Sequence, residues 1–136
     1  VEAVLGVKQW LTYVNGAPFQ GAVARGLRLD DAFFDGLRAT LQRRRDLLAA
    51  GLVDAGFRIA PTAGSYFIVA DGSPLGLTDA ASSARALAVD PGVVAIPLSA
   101  FGRAGGELSA SALRFAFCKP DAVIAEGVRR LQSLRR

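Results

Sequence analysis

Arg114 sits in the run Leu113-Arg114-Phe115-Ala116-Phe117-Cys118-Lys119, near the end of the 136-residue chain. Its alternation predicts a β-strand with Leu113, Phe115 and Phe117 on one face and Ala112, Arg114, Ala116 and Cys118 on the other. A guanidinium in a row of small side chains has room around it, and its planar fork matches a carboxylate through two parallel hydrogen bonds. The chemistry on offer is capture of an acidic headgroup. With no His and a single Cys, an internal disulfide is excluded, a transition-metal site has few ligands to draw on, and the commonest general base is missing. Proton transfer would need Lys, a carboxylate or a borrowed cofactor. Cys118 has no activating base in sight and reads as a small buried filler.

A second strand is expected over Ser65-Tyr66-Phe67-Ile68-Val69-Ala70, a β-rich run bounded by Gly64 and Asp71-Gly72. Tyr66 and Phe67 fall on opposite faces of it, so Phe67 is expected in the core and Tyr66 toward a substrate or cofactor. Further strands are expected at 57–59 and at 92–96, the latter stopped by Pro97. Helices are expected over 1–13, from Pro18, over about 31–55, near 79–88, and from Pro120-Asp121 onward. In the longest helix Phe34, Leu37, Leu41, Leu48 and Leu52 recur at helical spacing, and Gly56 offers a C-cap. Residues 102–106 read as a flexible glycine-rich loop. This order predicts an α+β domain with helices packed on one face of a small sheet.

Composition narrows the partners. With 51% hydrophobic residues the chain has enough apolar content for one compact domain and is too short for two full ones. No run of about 18 uncharged apolar residues suggests a membrane span. No signal peptide is visible, and the single Cys fits a reducing, cytoplasmic setting. The lack of any Met suggests a piece of a longer protein. A net charge of +4 invites a nucleic-acid partner, yet much of it lies in Arg43-Arg44-Arg45 and in Arg129, Arg130, Arg135 and Arg136, within expected helices. Such clusters read as solvated helix faces, so no nucleic acid is expected.

Four segments, in order, carry a resemblance: Thr12-Tyr13-Val14-Asn15-Gly16-Ala17-Pro18-Phe19-Gln20, Ala63-Gly64-Ser65-Tyr66-Phe67, Val94-Ala95-Ile96-Pro97-Leu98-Ser99-Ala100-Phe101, and Leu113 to Lys119. Together they resemble the C-terminal part of pyridoxal-phosphate-dependent, fold type I aminotransferases of class I/II. The branch they resemble most holds kynurenine/glutamine and N-succinyldiaminopimelate aminotransferases.

The resemblance implies that Arg114 binds the substrate α-carboxylate and that Ser99 to Phe101 shape the pocket mouth. It implies that the strand with Tyr66 runs under the substrate side chain. The loop with Tyr13 and Val14 would cross a homodimer to line the partner's pocket. Residues 1–28 would be the end of the large cofactor-binding domain and 29–136 the small domain. The substrates would be an amino acid and a 2-oxo acid, and the cofactor pyridoxal 5'-phosphate in the full-length enzyme. The family's Schiff-base Lys lies upstream of the matched region; neither Lys8 nor Lys119 has its context, so the fragment is expected to be inactive alone and without bound cofactor. A β-lyase of the same fold is a second implication. Outside the family, the alternative is a non-catalytic module presenting Phe115 and Phe117 to RNA.

Overall fold

A computed structural model describes residues 1–11, 17–101 and 110–135. They divide into two compact units, Val1–Gly36 and Leu37–Arg136.

The first unit holds helix α1 (Glu2–Leu11), helix α2 (Ala17–Gly26) and the opening turns of helix α3 (Asp31–Ala55). Its apolar side chains are largely exposed, among them Val4, Leu5, Trp10, Phe19, Val23 and Leu27.

The second unit has a closed core. In α3, Leu48, Leu52 and Ala55 are spaced by four and three residues, fall on one stripe and are buried. Gly51 on the same stripe lets helix α5 (Asp121–Leu131) come close, since a Cβ there would lie 2.3 Å from a Val128 methyl. Gly56, at φ +103°, ends α3 in a conformation that side chains resist, and the Phe57 N–H donates back to the Leu52 carbonyl at 3.0 Å.

The sheet is antiparallel with strand order β1-β2-β4-β3, formed by β1 (Arg58–Ile59), β2 (Phe67–Asp71), β3 (Ile96–Pro97) and β4 (Ala112–Ala116). Register fixes the faces. Ile68 pairs with Phe115 and Ala70 with Leu113, and these four, with Phe117, are buried in the core. Leu48 and Leu52 of α3, Leu87 of α4 (Ala80–Val89), and Ile124 and Leu131 of α5 join them there. Phe57 meets Phe115 edge-on at 5.6 Å. The α+β expectation, helices on one face of a small sheet, holds.

Helix ends are tied by polar contacts. The Asp79 carboxylate caps α4 by accepting from the Ser82 N–H at 2.7 Å, and the Ser82 side chain together with that N–H holds its pKa below the usual value. Asp121, in the first turn of α5, accepts from Arg44 Nε at 2.6 Å and Arg43 Nη2 at 3.3 Å. Arg129 and Arg130 both reach Glu126 at 2.7 Å, pulling its pKa down to about 2. Arg43, Arg44, Arg45, Arg129 and Arg130 are therefore engaged with acids of the same unit.

Three expectations are corrected. Phe67 is not a core residue: Val69 pairs with Arg114, so Phe67, two residues away, shares the Arg114 face, and Ile68 takes the core position. The strand expected over 92–96 is only Ile96–Pro97. Before it, the Val93 N–H donates to the Leu87 carbonyl at 2.7 Å and Arg130 reaches the Gly92 carbonyl, so helix partners hold this backbone. Pro97 belongs to the strand rather than stopping it, since an edge strand tolerates a missing N–H. Cys118 is exposed, because β4 ends at Ala116 and Cys118 falls in the connection to α5.

Candidate functional site

Arg114 lies at the middle of β4, an inner strand, directly opposite Val69 of β2 and Ile96 of β3. Its face of the sheet is the one the core does not use. The ring of Phe67 presents itself to the guanidinium with its centroid 3.9 Å from Cζ, and the ring of Phe101 does the same at 4.2 Å. Two aromatic rings thus lie within 4.2 Å of the guanidinium carbon. Phe67 comes from β2, directly opposite small Ala116 and diagonal to Arg114; Phe101 closes the short 3-10 turn Leu98–Phe101 after β3. Both neighbours of β4 thus contribute one ring. Arg114 Nε is buried and has no hydrogen-bond partner among the described residues.

The acid on the same strand face is committed elsewhere. Asp71 accepts from Ser111 Oγ at 2.6 Å, from the Ser73 N–H at 2.9 Å and Oγ at 2.8 Å, and from Arg58 Nη2 at 2.7 Å. These donors, Ser111 foremost, hold its carboxyl far below the usual range. Asp71 ties β1, β2 and the start of β4 together and leaves the Arg114 charge to something else. Arg43, Arg44, Arg58, Arg129 and Arg130 each have a carboxylate within 3.3 Å. Arg114 has aromatic rings and, among the described residues, no acid. That combination suits an anion arriving from outside.

Tyr66 is 47% exposed, and its ring centroid lies 4.4 Å from that of Phe67, extending the aromatic row away from the guanidinium. Tyr13 and Val14 lie outside the described residues, as does the loop expected at 102–106. The stacking of Phe67 on Arg114 went unread in the sequence, because it depends on the β2–β4 register. Phe115 and Phe117 are 3% and 2% exposed, which removes the stacking platform that an RNA-binding module would need.

A family model described as aminotransferase class I and II matches residues 5–131. The chain belongs to this family. Two curated relatives are similar over most of its length. A probable N-succinyldiaminopimelate aminotransferase (DapC) of Mycobacterium tuberculosis is 45% identical over 141 residues, which take in 98% of this chain and 36% of the relative. The methionine aminotransferase of Escherichia coli K12 is 30% identical over 128 residues, 94% of this chain and 33% of the relative. The chain spans about a third of the length of these relatives. Among solved structures, the N-succinyldiaminopimelate aminotransferase of M. tuberculosis superposes with a TM-score of 0.85 at 46% identity, over 98% of this chain and 35% of that one. The E. coli methionine aminotransferase YbdL gives 0.80 at 29% identity, over 94% and 33%.

Members of this family use pyridoxal phosphate. Among the described residues, neither lysine is placed on the strand face of Arg114. Lys8 is in α1, and Lys119 follows β4 on the way into α5, exposed. Neither stands on a strand beside Arg114. What the described residues offer is an arginine held by aromatic rings with no acid partner among them.

Proposed function

We propose that this chain is the C-terminal part of a pyridoxal-phosphate-dependent aminotransferase, which moves an amino group from an amino acid to a 2-oxo acid, with Arg114 binding the substrate α-carboxylate. Residues 1–28 are read as the end of the large domain and 29–136 as the small domain. The exposed apolar residues of α1 and α2 are the kind of surface a missing large domain would cover. The full-length enzyme is read as a cytoplasmic homodimer, with Tyr13 and Val14 reaching toward the partner's pocket and Tyr66 beside the substrate side chain. Neither a membrane nor a nucleic acid enters this reading: no helix of the described residues is long and apolar enough to cross a membrane. The relatives' names point to N-succinyldiaminopimelate or methionine as donor classes.

One observation carries the proposal. Arg114 is a cation held by aromatic faces on the open side of a sheet, with no acid of its own among the described residues. A guanidinium so held can grip a carboxylate with its Nη groups and fix where the Cα–H of an amino acid points. The cofactor, when bound in the full-length enzyme, supplies the electron sink for loss of that proton. Fixing the carboxylate converts a tumbling substrate into an oriented one, and orientation is a large part of such catalysis.

In the full-length enzyme, Arg114→Ala should raise KM for every amino-acid donor, by a loss of about 2–5 kcal/mol of binding. Arg114→Lys should recover only part of it, since an ammonium has no planar fork. An unchanged KM in both variants would remove Arg114 from this role.

A further inference from the structure

We infer that Phe67 and Phe101 are positioning residues for substrate binding: together they clamp the Arg114 guanidinium so that only its Nη1/Nη2 end is open to a carboxylate. This rests on the reading of Arg114 as the carboxylate-binding residue and adds what holds it and from which side it is approached.

An arginine that grips a carboxylate must keep its plane fixed, and hydrogen bonds from neighbouring acids or carbonyls are the usual means. None of the described residues supplies one here: Nε is buried without a partner, and no described carboxylate meets the Nη groups. The two ring faces at 3.9 and 4.2 Å take over that role. They attract the cation, and in the proposed clamp they stack on its two flat sides and shut these to water and to ligand. With the flat sides covered and Nε buried, the remaining way in is end-on, along the fork. The clamp is assembled from both flanking strands, Phe67 from β2 and Phe101 from the turn after β3, so its spacing follows from the sheet register. Ala116, small and paired directly with Phe67, leaves the space in which the Phe67 ring leans over Arg114.

The test is a set of variants in the full-length enzyme: Phe67→Leu, Phe101→Leu, Phe67→Tyr and Phe101→Tyr, each alone and with Arg114→Ala. Leu keeps most of the bulk and loses the π face, whereas Tyr keeps the face. Phe101 is 57% exposed, so its replacement should fold normally even if Phe67→Leu does not. Each Leu variant should raise KM for the amino donor, and weaken butanoate binding measured by calorimetry, by about 5- to 30-fold. The Tyr variants should stay within about twofold of the parent, because the ring face is kept. In the Arg114→Ala background the Leu substitutions should cost nothing further, because the rings act through the guanidinium. Leu variants with unchanged KM and butanoate affinity, or with the same loss whether or not Arg114 is present, would overturn the inference while leaving Arg114 in its role. If Arg114→Ala alone changes neither quantity, the carboxylate reading fails, and the clamp fails with it.

Discussion

The two faces of the four-stranded sheet are built from alternate residues of the same strands, yet they are put to opposite uses. On one face Ile68, Ala70, Leu113, Phe115 and Phe117 are at most 3% exposed beneath three helices. On the other, Phe67, Val69, Asp71 and Arg114 are half-buried, and no helix of the described residues closes over them as the helices close the core. A single residue step along β4 therefore separates a side chain that holds the fold together from one that is free to meet a ligand. The difference also explains why the polar residues of the open face behave so differently from each other. Asp71 is saturated by donors of its own unit and serves the fold, while Arg114, among the described residues, meets two rings and no acid.

The sharpest way to break this comparison is to exchange the effects of the faces. Phe117→Ala, on the closed face, should cost about 3–5 kcal/mol of folding stability, read from the chemical denaturation midpoint of the chain. Arg114→Ala, three residues earlier and on the open face, should leave that midpoint nearly unmoved while abolishing carboxylate binding in the full-length enzyme. Comparable losses of stability from both would mean that the open face is structural as well.

A smaller effect separates Asp71 from Arg114. Asp71→Asn should cost about 1–3 kcal/mol, because donors that now meet a carboxylate would meet a weaker, partly mismatched amide. Its pH dependence has a definite sign. The folded carboxyl lies below its ordinary value of 3.8, so its contribution is fully present above that pH and is lost as the pH falls through the folded value. The parent should therefore lose stability more steeply than Asp71→Asn between neutral pH and the acid range. Parallel acid curves would show that the cluster adds nothing.

Much of this was legible in residue order. The Leu48 and Leu52 end of the long helix's stripe, the Gly56 stop, the Asp121 start of α5 and the alternation through Phe117 are local patterns that survive into the fold, whereas Phe34 and Leu37 of the same stripe are exposed. The errors came where the outcome depends on a partner strand. Phe67 was placed inside because its own strand cannot tell which face is buried; only pairing with Arg114 through Val69 decides it. Gly92 to Ala95 carries a strand-like composition, but its backbone groups were claimed by α4 and α5 before β4 could pair with them. Cys118 looked like a continuation of the alternation, which the approach of Pro120 cuts short. At the site, Arg114 was visible as a misfit among small residues, whereas the rings beside it come from Phe67 and Phe101, 47 and 13 residues away in sequence, and no local pattern joins them.

The most direct test is a crystal structure of the full-length enzyme with a bound amino-acid substrate analogue. The account predicts the analogue's α-carboxylate in hydrogen-bond contact with Arg114 Nη1 and Nη2, in the plane of the fork, with the Phe67 and Phe101 rings on either side of it. A carboxylate bound by other residues, with Arg114 turned to a protein acid or to solvent, would contradict it.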